Sequence, residues 1–149
     1  MPVRAARRDD VEEITAMMLE HAAHEGALKQ CHFNTGDATT ALFGPDAMLH
    51  ALIAAPAGDP SAIAGCALWY PTFSSWAGTT GIWLEDLYIR PAHRGHGLGR
   101  EILNDLRART DGRVEWDVME VNLDAQAFYR RLGANPVPGF LRFRWLRAP

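Results

Sequence analysis

The chain has 149 residues, 48% hydrophobic and 22% charged, which suits one domain around one core. A formal net charge of −3 leaves no basic surplus for gripping phosphate backbones, so no nucleic-acid partner is expected and a cation is the favoured charged one. Cys31 and Cys66 lack CxxC spacing and the start of the chain has no apolar secretory core, which predicts a cytoplasmic setting. Pro56, Gly58, Asp59, Pro60 and Gly65 interrupt the least charged stretch, so no membrane span is expected.

In chain order, a short strand at Val3–Ala5 precedes Asp9 and Asp10, which stand ahead of Glu12 and Glu13 at capping-box spacing. They open a helix with Val11, Ile14, Met17 and Met18 on one face, its end blurred by His21, His24 and Gly26. Residues 29–45 predict a loop with a short helix at 38–42, and 48–55 fit helix or strand, with strand preferred. Residues 62–73 and 81–89 are rich in branched and aromatic types and predict a hairpin with a long connection. Pro91 and the glycines at 95, 97 and 99 stop the second strand, and Leu98, Ile102, Leu103 and Leu106 then mark a helical face. A strand at 114–120, a helix at 124–132 and a final strand at 140–146 complete the chain, with no repeat or linker to divide it. One domain, 1–149, is expected.

The run Arg90-Pro91-Ala92-His93-Arg94-Gly95-His96-Gly97-Leu98-Gly99-Arg100 follows a strand and opens a helix, where backbone N–H groups and the helix dipole bind phosphate. Its spacing is G-x-G-x-G, not the G-x-G-x-x-G of dinucleotide folds, and no Gly-Lys-Ser or Gly-Lys-Thr follows, since Lys29 is the only lysine. A tight turn with a glycine-rich cap competes evenly with anion binding. His93 and His96 flank the loop and are read as solvated, with a phosphate contact as the alternative.

Arg94-x-x-Gly97-x-Gly99 resembles the acyl-CoA pyrophosphate motif of the GNAT acetyltransferases. The string Asn122-x-x-Ala125-x-x-Phe128-Tyr129-x-x-x-Gly133-Ala134 resembles a second signature of that family. The stretches 70–76 and 83–89 are similar to its diamine branch, which includes spermidine/spermine and thialysine acetyltransferases, although His24-Glu25 stands where that branch commonly has Tyr-Glu. The resemblance implies an α/β fold with a single mixed, mostly antiparallel twisted sheet flanked by helices. It also implies acetyl-CoA as cosubstrate, no metal and a homodimer, with the last strand and the hairpin as candidate contacts.

Carried onto this chain, the resemblance implies that main-chain N–H groups of Arg94, Gly95, His96, Gly97, Leu98, Gly99 and Arg100 hold the pyrophosphate, with the two arginine side chains in support. Leu87, Tyr88 and Ile89 would pair with the pantetheine arm, the Leu87 N–H polarising the acetyl carbonyl. Tyr129, a phenol with a pKa of about 10, would protonate the departing thiolate, unless it is a core aromatic beside Phe128. Asn122 would cap the late helix or contact the cofactor. Strand alternation sends Glu85 and Asp86 to opposite faces, and the family implies that Glu85 faces the amine; a surface carboxylate is the plain alternative. Glu25 would anchor a distal ammonium group or end its helix in solvent.

Trp76 in the hairpin loop would line the amine entrance or meet a second subunit. Trp69, Trp83, Trp116 and Trp145 fall on predicted strands and suit core or interface. His21, His24, Cys31 and His32 lack paired ligand spacing and suit a helix end better than a metal site. The activity expected is direct acetyl transfer to the primary amine of a small cationic substrate. Transfer to a peptide or protein amine, and acetyl-CoA sensing without turnover, are the rival expectations.

Overall fold

The computed structural model describes residues 2–149, which group into two compact units, one ending at Asp117 and one running Val118–Pro149. In the first unit, β1 (Val3–Ala5), β2 (His50–Ala54), β3 (Gly65–Ser74), β4 (Thr79–Ile89) and β5 (Val114–Glu115) form one sheet in the order β1-β2-β3-β4-β5. The first three pairings are antiparallel and β4 with β5 is parallel, so the sheet is mixed and mostly antiparallel, as expected.

Two helices cover the sheet. From α1 (Val11–His24), Ile14, Met17 and Met18 pack on Ala51, Ile53, Cys66, Leu68 and Tyr88. Alternation turns Leu52 and Ala67 to the other face, where α3 (Leu98–Ala108) buries Leu98, Ile102, Leu103 and Leu106. Each such side chain contributes about 1.5–3 kcal/mol on leaving water. Arg90, just past β4, ties strand to helix: its guanidinium meets Glu20 at 3.0 Å and Glu13 at 2.9 Å on α1.

Several expectations are corrected. Asp10 does not cap α1: it accepts the Arg7 N–H at 2.6 Å and both arms of the Arg4 guanidinium at 2.7 and 2.9 Å. A bidentate charged partner outcompetes the capping role and, with the Arg7 N–H, holds the carboxyl below its ordinary pKa against the effect of burial. The predicted short helix is longer, α2 (Thr35–Phe43), because the Asn34 side chain accepts the Asp37 N–H at 2.9 Å and starts it early. The hairpin connection is only 75–78, since Ser74 and Thr79 still pair.

The strand expected at 114–120 stops at Glu115. Its partner carries a bulge: Leu68 pairs Asp86 and Trp69 pairs Leu84, leaving Glu85 as the extra residue. A bulge bends and twists its strand, and β4 has no β5 partner after Trp83. Trp116 therefore lies outside the sheet.

The second unit holds α4 (Leu123–Arg131), within a residue of the expected bounds. Ala125, Phe128, Tyr129 and Leu132 are half-buried. No strand forms at 140–146, because an alternating pattern needs a ladder partner and this unit supplies none. Phe143 and Trp145 are exposed, so Trp145 is not core. Among the described residues no helix is long and apolar enough to cross a membrane.

Candidate active site

The glycine loop begins with a 3-10 turn, Pro91–His93, and ends at Gly97, which precedes α3. Gly95 and Gly97 have φ of 78° and 84°, and a Cβ at either would meet nothing within 4 Å. The glycines thus serve backbone conformation, not close packing, and leave open space outside the loop. No side chain caps α3, whose first N–H groups point outward at the positive end of the helix dipole. An acetyl-CoA pyrophosphate fits that donor set, with Gly95, His96, Gly97, Leu98, Gly99 and Arg100 as main-chain donors. The Arg94 side chain lies back on the strand: its Nε donates to the Ile89 carbonyl at 2.8 Å, and its guanidinium sits 5.6 Å from the Tyr88 ring centre.

The end of β4 supplies a second set of backbone groups. The Arg90 N–H donates to the Ala64 carbonyl on the β3 side at 2.9 Å. Alternation then turns the N–H and carbonyl of Leu87 and Ile89 the other way, towards the edge that β5 leaves unpaired. This edge can receive an extended amide-bearing chain as an added strand. Tyr88 faces the opposite side of the sheet, buried against α1.

Beside this edge, carboxylates converge. Asp86 and Trp83 pair with Leu68 and Tyr70, so both face α1, and the Trp83 indole N–H donates to Glu85 at 2.9 Å. The bulge therefore overturns the expectation that only one of the two acids turns this way: Glu85 and Asp86 both serve the α1 side. His21 Nε2 lies 3.8 Å from Asp86 and 3.6 Å from Glu25. Burial, then Glu85 and Glu25, push the Asp86 carboxyl up to about 6. The arrangement is an acidic cluster, and a cation beside it relieves the repulsion among its carboxylates.

His21 was set aside in the sequence as a helix-end residue, yet it is partly buried and packs on Tyr88, ring centres 5.3 Å apart. The signal was present: His21 and Glu25 continue the stripe of Ile14, Met17 and Met18 at helical spacing. Asp86 was missed because a bulge has no signature in this run. Trp76 is 93% exposed at the hairpin tip, away from any packed surface among the described residues. In the second unit, Asn122 accepts the Ala125 N–H at 3.1 Å, so its Oδ1 caps α4 and is not free for the cofactor. Tyr129 is half-buried with its ring 5.2 Å from that of Phe128.

Comparison with known proteins shows the family and the fold. Thialysine N-epsilon-acetyltransferase of Mus musculus is 30% identical over 96% of this chain and 91% of its own. The protein of the same description from Caenorhabditis elegans is 35% identical over 81% of this chain and 74% of its own. The crystal structure of a possible acetyltransferase from Clostridium difficile 630 superposes with a TM-score of 0.77 at 16% identity, over 98% of this chain and 97% of that one, which shows the fold. The profile described as Acetyltransferase (GNAT) family matches residues 15–134. The chain belongs to the GNAT family and is an acetyltransferase, of a family that uses acetyl-CoA as cosubstrate.

Proposed function

We propose that the protein acetylates a primary amine of a small cationic substrate, a diamine, polyamine or lysine analogue, by direct transfer within a ternary complex. The observation that carries this is the convergence of Glu25, Glu85 and Asp86 beside the open edge of β4. Relatives described as thialysine and spermidine/spermine acetyltransferases support the same substrate class. We read both units as one acetyltransferase domain, because the family match runs across the boundary between them, and the resemblance adds a homodimer to this reading.

Bound acetyl-CoA supplies an activated acetyl thioester. The uncapped start of α3 and the glycine loop hold its pyrophosphate, and the edge groups of Leu87 and Ile89 hold its amide arm. The Leu87 N–H would then donate to the acetyl oxygen, an interaction commonly worth about 3 kcal/mol where water is excluded. Glu25 receives the distal charge of the substrate. Glu85 and Asp86 receive its reacting ammonium and draw off a proton, since only the neutral amine attacks. Tyr129 protonates the departing thiolate. Cys66 lies in the core with burial pushing its thiol pKa up, which favours direct transfer over an acetyl-cysteine route.

The test is thiol release from acetyl-CoA with spermidine, putrescine, thialysine, lysine and a short peptide, each product identified by mass spectrometry. Acetylation of one small amine, with Tyr129→Phe lowering kcat on the order of 100-fold, is the expected result. Acetylation of the peptide alone would replace the small-amine reading, and bound acetyl-CoA with no turnover would point to a sensor.

A further inference from the structure

The sheet-facing stripe of α1 runs through Ile14, Met17 and Met18 to His21, and the transfer chemistry outlined above leaves that imidazole without a task. Its surroundings are specific. Nε2 stands 3.6 Å from Glu25 Oε1 and 3.8 Å from Asp86 Oδ1. The ring lies against Tyr88. Nδ1 is buried and has no hydrogen-bond partner, a rare condition for a buried polar atom. A histidine held for structure or as a ligand normally has one nitrogen anchored, which fixes its tautomer. Here nothing anchors Nδ1, so neither tautomer is fixed, and the tautomer that carries its proton on Nδ1 turns the Nε2 lone pair to the two carboxylates.

We infer that His21 is a positioning residue for the proton of the substrate amine: acting through Asp86, it removes that proton from the acidic cluster and returns Asp86 to its ionised form. This rests on the reading of Glu25, Glu85 and Asp86 as the amine site. The ammonium N–H bond breaks as an Asp86 O–H bond forms, leaving a neutral amine. That O–H bond then breaks as an Nε2–H bond forms, the proton crossing the 3.8 Å gap through one bridging water and leaving carboxylate and imidazolium. The imidazole side chain keeps 21% of its surface exposed, enough to release the proton to solvent.

The electrostatics agree. The groups that act on the imidazole are Glu25 and His24 from its own helix, Asp86 from β4 and Arg94 from the glycine loop; Tyr88 packs against its ring. Burial holds its pKa below the ordinary value, opposed by Glu25 and reinforced by His24 and Arg94. At neutral pH it is therefore unprotonated and ready to accept. Asp86, raised to about 6 by burial and its acidic neighbours, is the proton donor beside it.

The experiment compares the whole wild-type chain with His21→Gln and His21→Ala, using an amine that the wild type acetylates, from about pH 5.5 to 8.5. The expected result is a kcat loss of about tenfold or more near neutrality, shrinking as pH rises and the free amine fraction grows. The acetyl-CoA KM stays unchanged, and added imidazole restores part of the rate to His21→Ala. A wild-type kcat and acid limb in His21→Gln would overturn the inference. So would an equal loss at every pH without imidazole rescue, which is what a packing role gives. If the variants fail to fold, an NMR titration of wild-type His21 decides: a titration step shared with Asp86 supports the relay, and independent titration at the ordinary histidine value overturns it. A wild-type chain that acetylates no small amine overturns the underlying reading and this inference with it, whereas an active wild type with an unaffected His21→Gln sinks the inference alone.

Discussion

The glycine loop and the acidic cluster lie at the two ends of the same short run of β4, and they are made differently. The loop works through backbone: positive-φ glycines and an uncapped helix start, all within residues 91–100. The cluster works through side chains drawn from the end of α1 and from a bulged strand some sixty residues later in the sequence. A contiguous device survives almost any change that keeps its local conformation. An assembled one depends on how α1 is seated, which the Arg90 pairs with Glu13 and Glu20 help to fix.

If that contrast is right, substitutions in the two regions separate the two substrates. The largest effect is expected for Glu85→Gln/Asp86→Asn. Steady-state kinetics should give about a 100-fold loss in kcat/KM for the amine, with acetyl-CoA affinity unchanged in calorimetry. A parallel loss of acetyl-CoA affinity would show that the regions are not independent. Next is Gly97→Val, where a branched side chain is forced to a φ of 84°. Strain of roughly 1–2 kcal/mol should weaken acetyl-CoA binding about tenfold and leave the amine KM alone.

The smallest effect is one of stability. The Asp86 carboxyl is raised to about 6 from an ordinary value near 3.8. Because the folded value is the higher one, this group's stabilising contribution is complete below about pH 4 and is lost as pH rises through about 6. Asp86→Asn should therefore match the wild type at pH 4. At pH 7 it should exceed it by on the order of 2 kcal/mol in urea melts. An equal difference at both pH values would mean that the carboxylate carries no such burden.

What could be read from sequence divides along the same line. Helices α1 and α3, strands β2 to β4 and the cofactor loop follow from periodicity and glycine spacing, because each is decided within a few residues. The capping assignment of Asp10 failed because Arg4, on another element, claimed the carboxylate. The strand expected at 114–120 stopped at Glu115 and the one expected at 140–146 failed, because alternation describes one face of a ladder and is silent on whether a partner is there. Asp86 escaped because it needed a register shift, which is no property of the local run, whereas His21 lay on the helical stripe of Ile14, Met17 and Met18 and only its neighbour on β4 was out of reach.

The bulge at Glu85 also divides β4 into two reading frames. Ile82 and Leu84 face α3 before it, and Leu87 and Ile89 face α3 after it, so the parity of the inward positions switches from even to odd. Deleting that single residue would bring all four into one uninterrupted alternation and leave the apolar pattern of the sheet intact. The sheet has no need of the insertion. Its effect is to set two neighbouring acids on one side of a strand that would otherwise show them to opposite faces, so the charge that this face of the scaffold carries changes with a one-residue change in length.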